Sequence, residues 1–181
     1  MENSLLIAGF GGQGVILIGQ LLGYAASEAG KHATYYPAYG AEQRGGTANC
    51  TVVIGDEEIG SPVVTQLDIV IVMNEPSLDR FESWVKPGGT IIVNSSLVSR
   101  QVGRTDIKAV YIPANDIARQ IGSEKIANMA MLGAYLALSS VLPVEVIVAT
   151  MKAKLADKPQ FLPLNEGAIE AGFTLAARGS T

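Results

Sequence analysis

The chain is poor in the residues that hold metals: it has one cysteine, Cys50, and one histidine, His32, in 181 residues. They cannot supply the ligands of a structural zinc site or of a four-thiolate iron–sulfur cluster, so any metal or redox centre it serves sits on a partner. Charge is sparse too. Asp, Glu, Lys and Arg make up 17% of the residues and the net charge is −4. The basic residues are scattered, leaving no electrostatic footprint for nucleic acid. Nor does any apolar run reach the roughly 20 residues of a membrane span. VILIGQLLGYAA is short and holds Gln20, while IANMAMLGAYLALSSVL holds Asn128 and ends at Pro143. Glu2 and Asn3 stand where a signal peptide would carry positive charge, so the protein reads as cytoplasmic.

Apolar residues, in contrast, are plentiful at 48%, with a mean hydropathy of +0.28. The length suits one well-buried core, and residues 1–181 are read as a single domain. The apolar excess points to a buried subunit interface, the alternative being a compact monomer rich in alanine and valine. Cys50, in the β-branched stretch ANCTVVI, reads as a buried and inert thiol.

The order of elements predicts an α/β fold. SLLIA (Ser4 to Ala8) reads as a strand buried on both faces, Gly14 to Ala29 as a helix capped by Gly30, HATYY as a second strand ended by Pro37, and TANCTVVIG as a third. DEEIG reads as a turn with a short return strand, a possible antiparallel excursion. DIVIVM is the clearest buried strand. NEPSLDRFESWV follows as a helix, KPGG as a turn, then TIIVN and AVYIP as strands and a helical C-terminal third. The expected architecture is Rossmann-like: a mostly parallel sheet with helices on both faces. The Ala-, Gly- and Met-rich segment Ala127 to Ala137 suits either core packing or an interface, and buried Asn128 either a neighbouring subunit or a partner within the chain.

Gly9, Gly11 and Gly14 in GFGGQGV have the spacing G-x-G-x-x-G after a strand and before a helix. Such a loop turns tightly, lets backbone approach a ligand and points helix N–H groups at a phosphate. A nicotinamide dinucleotide site also needs an acid about 20 residues on, at the end of the second strand. Here that strand runs into TYYPAYG, and Glu28 lies inside the helix. The loop therefore supports phosphate or anion binding without naming a cofactor; Gln13 either bonds that phosphate or caps the loop.

A second loop, YYPAYGAEQRGGTANC, follows at the carboxyl edge of the sheet, where open α/β sheets bind ligands. Tyr39, Gly40, Glu42, Arg44, Gly45 and Gly46 make it a candidate ligand loop: Arg44 offers a planar fork for phosphate or carboxylate, against the alternative of a surface pair with Glu42. Asn74, just past DIVIVM, lines the same crevice or caps the next helix.

GFGGQGV at Gly9 to Val15, YGAEQRGGTANC at Tyr39 to Cys50, GSP at Gly60 to Pro62 and KPGGTIIVNSSL at Lys86 to Leu97 together resemble the gamma subunit of the 2-oxoacid:ferredoxin oxidoreductases. The resemblance covers nearly the whole chain, and the RGGTANC form is more similar to the 2-oxoglutarate branch than to the pyruvate branch. It implies a reaction in which a 2-oxoacid, coenzyme A and oxidised ferredoxin give acyl-CoA, carbon dioxide and reduced ferredoxin. It also implies that thiamine diphosphate, Mg2+ and the iron–sulfur clusters sit on alpha, beta and ferredoxin-like partner subunits. This chain would then bind no cofactor alone, carry no catalytic residue, help hold coenzyme A and complete the assembly. In isolation it would be inactive and free to form a homodimer. On this reading Gly9, Gly11, Gly12, Gln13 and Gly14 face the phosphate end of coenzyme A or a subunit junction, with Arg44 and its neighbours closing over it.

Three other functions compete. A stand-alone S-adenosylmethionine-dependent methyltransferase shares the glycine loop and a turn like KPGGTIIV, and a nicotinamide-dependent reductase shares the loop; both want the acid that TYYPAYG does not offer. The third is a purely architectural subunit.

Overall fold

The structure, a computed structural model, describes residues 2–41 and 46–179. Its elements are β1 Glu2–Phe10, α1 Val15–Glu28, β2 His32–Tyr39, β3 Thr47–Gly55, β4 Leu67–Val72, α2 Glu75–Phe81, β5 Val85–Asn94, β6 Lys108–Ile112, α3 Ala114–Ile121, α4 Ala127–Ser139, α5 Val144–Lys154 and α6 Leu162–Arg178. The strands form one six-stranded sheet in the order β2-β3-β1-β4-β5-β6. Strands β1, β4, β5 and β6 run parallel, and their apolar sequences are buried between two layers. The Rossmann-like expectation holds, with helices on both faces, though unequally. Helices α1, α3, α4, α5 and α6 share one core with one face, while α2 and the segment after β5 cover the other.

Three local expectations need correction. Strand β2 does not stop at Pro37 but continues to Tyr39, with Pro37 opposite Cys50. A proline has no N–H to give to a ladder, and β2 tolerates one because it lies at the sheet edge with a single neighbour. The return strand expected at DEEIG is absent: among the described residues, 56–66 hold no strand. The antiparallel member is β3 itself, which lies between β2 and β1 and opposes both. A short connection can join only antiparallel neighbours, and Asp56, Glu57 and Glu58 are exposed charges with no face to bury. The hairpin ladder ends at Gly40, whose N–H donates to Thr47 O at 2.7 Å.

KPGG lies within β5 rather than before it. The pairing with β4 steps from Leu67 opposite Val85 to Ile69 opposite Thr90, so Lys86 to Gly89 bulge out, with Gly88 at φ +78°. Gly30 caps α1 as expected. At φ +70° it lets Lys31 N–H reach Ala26 O at 2.8 Å while its own N–H reaches Ser27 O at 3.0 Å.

Helix α4 absorbs much of the apolar excess. Every residue from Ala127 to Leu136 is buried, between the sheet and α6. The small residues serve packing within the chain: a Cβ on Gly133 would stand 2.0 Å from Ile169 O, and one on Gly172 1.9 Å from Ala130 O. Tyr135, fully buried, donates to Asn3 Oδ1 at 2.7 Å and ties α4 to β1. No helix among the described residues is long and apolar enough to cross a membrane.

Cys50 faces α1, where Gly19 comes so close that a Cβ would lie 2.3 Å from its Sγ. Burial pushes its thiol pKa up to about 12. Since the thiolate is the reactive form, a disulfide-exchange reagent at neutral pH should leave the native protein unlabelled over hours and label one thiol at once in denaturant. Rapid native labelling would refute the placement of Cys50.

Candidate functional site

The glycine loop joins β1 to α1 at the carboxyl edge of the parallel strands. Each of its glycines has a separate cause. A Cβ on Gly9 would stand 2.7 Å from Gln13 Oε1 and 2.9 Å from Met73 Cβ, so the strand end has no room for a side chain. Gly12 at φ +93° and Gly14 at φ +77° hold the left-handed conformations that reverse the chain into the helix. Gly14 O receives both the first helical bond, from Ile18 N–H at 3.2 Å, and the Asn128 amide at 3.2 Å. Asn128 thus has a partner within the chain.

Gln13 caps the loop through one oxygen. Its Oε1 accepts from Phe10 N–H at 2.7 Å and from Asn74 Nδ2 at 2.9 Å. Asn74 is an N-cap as well: its Oδ1 accepts from Ser77 N–H at 3.0 Å at the start of α2. With its side chain spent on these two bonds and only 4% exposed, Asn74 supports the crevice from beneath. Helix α1 has no side-chain cap and no acid in its first turn. Its leading N–H groups and the positive end of its dipole are left to whatever anion approaches.

The second loop meets the first. Gly11 N–H donates to Gly46 O at 2.9 Å. Gly11, Tyr39, Gly40, Ala41, Gly46, Thr47 and Ala48 then line a cavity of about 560 Å³, large enough for part of a cofactor-sized ligand. Tyr39 stands over it 70% exposed. Glu42, Arg44 and Gly45 lie outside the described residues. Of the sequence candidates, Gly9, Gly11, Gly12, Gln13, Gly14, Tyr39, Gly40 and Gly46 are gathered at one place on the sheet edge, and Asn74 beneath it.

Residues 4–175 match the family described as pyruvate ferredoxin/flavodoxin oxidoreductase. The chain belongs to that family. It is similar to the ketoisovalerate oxidoreductase subunit VorA of Methanothermobacter thermautotrophicus, 43% identical over 172 residues, which are 94% of this chain and 36% of VorA. It is also similar to the 2-oxoglutarate synthase subunit KorC of Methanothermobacter marburgensis, 37% identical over 186 residues and 99% of both chains. The chain therefore spans about a third of the first relative and nearly all of the second. A solved structure, the 2-oxoglutarate:ferredoxin oxidoreductase from Magnetococcus marinus with 2-oxoglutarate, coenzyme A and succinyl-CoA bound, shares the fold. Its TM-score is 0.90 at 23% identity, over 98% of this chain and 31% of that one.

Membership of this family speaks against the methyltransferase and nicotinamide alternatives. What the described residues bring to the loop is hydrogen-bond donors and shape, a means of binding and orienting. Among them no cluster of His, Cys, Asp or Glu could hold a metal ion.

One organising residue had no signal in the sequence reading. Asn94, fully buried at the end of β5, donates to Met73 O at 3.1 Å and to Asn115 Oδ1 at 2.8 Å. Its Oδ1 accepts from Ala114 N–H at 3.2 Å and Ser96 N–H at 3.3 Å. It joins the ends of β4 and β5 to the start of α3, and so sets the floor of the crevice beside Gln13. A buried amide in an apolar strand, five residues after a glycine pair, looks like any strand terminator.

Proposed function

We propose that this chain is the gamma subunit of a multisubunit 2-oxoacid:ferredoxin oxidoreductase. In the reaction it supports, a 2-oxoacid, coenzyme A and oxidised ferredoxin give an acyl-CoA, carbon dioxide and reduced ferredoxin. Its part is to hold coenzyme A at the sheet edge and to complete the assembly. Thiamine diphosphate, Mg2+ and the iron–sulfur clusters belong, on this proposal, to alpha, beta and ferredoxin-like partner subunits, and the scarcity of cysteine agrees with the clusters lying elsewhere. The observation that carries the reading is the junction of the two loops, Gly11 N–H to Gly46 O at 2.9 Å, beside an uncapped helix start. A remote phosphate anchored there lends binding energy to orient the distant thiol. The fold shared with an oxidoreductase solved with coenzyme A bound supports it.

The RGGTANC form favours 2-oxoglutarate as the 2-oxoacid. A second reading, a branched-chain 2-oxoacid, is favoured by the 43% identity to the ketoisovalerate subunit. Comparing kcat/KM of the assembled enzyme for 2-oxoglutarate and ketoisovalerate decides between them. For the coenzyme A role, Arg44→Ala in the assembled complex should raise the apparent KM for coenzyme A about tenfold, the size of one charge-assisted phosphate contact, with the 2-oxoacid KM unchanged. An unchanged coenzyme A KM with normal assembly removes Arg44 from the proposal. Co-purification without thiamine-dependent and cluster-bearing subunits would defeat it altogether.

A further inference from the structure

Helices α5 and α6 leave a slot between them. Val144, Val148 and Lys152 recur at i, i+4 and i+8 on one face of α5, and Glu166, Glu170 and Phe173 at i, i+4 and i+7 on one face of α6. The two faces form opposite walls of a hollow of about 570 Å³. Helices packed directly on one another lie about 8–10 Å apart, with side chains filling the space. Here Val144, Val148 and Phe173 stay only partly buried. Lys152 Nζ reaches across to Glu166 Oε2 at 2.9 Å and closes the end nearest the α5–α6 connection. Contiguous apolar surface rimmed by polar groups marks an interaction site.

The charges around the slot do not balance. Glu166 is matched by Lys152, but Glu145 on α5 and Glu170 on α6 are exposed and form no ion pair among the described residues. One unmatched acid therefore stands on either wall, and no unmatched cation lines the slot. A small-molecule site collects a few polar groups that converge on the ligand from within. This slot has none: its polar side chains are all charged, and the buried unpaired polar atoms among the described residues, on Thr34 and Asn128, lie elsewhere. A second copy of this chain would bring the same acids on a body of net charge −4, and like charges would meet.

An apolar floor between two acidic rims is complementary to an apolar stripe flanked on both sides by cations. We propose that the slot between α5 and α6 receives an amphipathic helix of another subunit, with its apolar stripe against Val144, Val148 and Phe173 and a Lys or Arg on each flank meeting Glu145 and Glu170. Docking of a helix in a groove presents its anchors at this helical spacing. The inference rests on the proposed function in taking that helix from a partner in the assembly. The slot shares no lining residue with the cavity at the two loops, so docking and coenzyme A binding can be altered separately.

The test places a photo-reactive phenylalanine analogue at Ala149, an exposed residue lining the slot, in the assembled enzyme. Irradiation should join this chain to a different subunit, through a segment carrying Lys or Arg beside an apolar stripe. A second arm titrates the full isolated chain with an amphipathic peptide about four turns long, its leucine stripe flanked by lysines, and with a twin flanked by glutamates. The lysine peptide should bind about tenfold more tightly, and Glu145→Lys with Glu170→Lys should reverse the preference. Both acids are exposed, so this variant keeps the fold, checked by a cooperative denaturation transition. Equal binding of the two peptides, or a preference that the variant leaves unchanged, overturns the inference. So does a crosslink to a second copy of this chain or to a segment without cations. A preparation lacking thiamine-dependent and cluster-bearing subunits counts against the proposed function, while the peptide preference still decides the inference. A full assembly that gives no crosslink from position 149 counts against the inference alone.

Discussion

Gly172→Ala is expected to cost about 3 kcal/mol or more, a large part of the ~5–15 kcal/mol that holds a domain together. The new Cβ would stand 1.9 Å from Ala130 O and 2.7 Å from Ala130 C. These are backbone atoms of a helix that is buried along its length, so no rotamer change relieves the overlap; α4 and α6 must move apart. Separating them opens the core between α6 and the sheet, because α4 is the layer that fills it. Gly167, also in α6, is the control: its Cβ would meet only Ile121 side-chain carbons at 3.9 and 4.0 Å. Gly167→Ala should be neutral or stabilising by up to about 1 kcal/mol, the helix-propensity gain. Urea denaturation of both variants is the measurement, and equal midpoints would show that the close crossing of α4 and α6 is misplaced.

Gly14→Ala should be the most damaging change in the glycine loop, at about 2–4 kcal/mol, against about 1–2 kcal/mol for Gly12→Ala. Both residues have positive φ, +77° and +93°, so both substitutions carry the left-handed strain. Only Gly14 adds a collision. Its Cβ would lie 2.3 Å from Asn128 Nδ2 and 3.2 Å from Asn128 Cβ, whereas nothing lies within 4 Å of a Cβ on Gly12. Yielding means that Asn128 gives up its bond to Gly14 O, and the loop loses its brace to α4. Thermal unfolding of the isolated chain reads the stability difference. In the assembled enzyme, the coenzyme A KM should rise more for Gly14→Ala than for Gly12→Ala; equal effects would mean that Asn128 does not brace the loop.

Much of the fold follows from pattern. Apolar runs gave strands where β1, β4 and β5 stand, and Gly30 marked the end of α1. What stayed hidden depended on neighbours in space. Pro37 reads as a terminator until β2 is known to be an edge strand with one partner. The antiparallel sense of β3 is set by the connection that precedes it, and its apolar sequence would suit either direction. The segment around Gly133 left packing and interface open because the small residue opposite, Gly172, lies in another helix.

The site divides in the same way. Gly9 to Gly14 and Tyr39 to Gly46 could be found because a strand, a glycine loop and a helix occur in fixed order, and their meeting at the carboxyl edge follows from that order. The partners of the braces could not be found this way. Asn94, Asn74 and Asn128 are lone asparagines at the ends of apolar segments, and their partners Met73, Gln13 and Gly14 are from 21 to 114 residues away.

The hairpin's last rung, Gly40 N–H to Thr47 O, closes the β2–β3 ladder before the tip of the loop begins. Strand register is settled by then, so residues 41–45 can change in sequence with little cost to the sheet. Sequence change between Gly40 and Thr47 is thereby uncoupled from strand pairing, and an engineer can exchange that stretch between family members with the framework left intact.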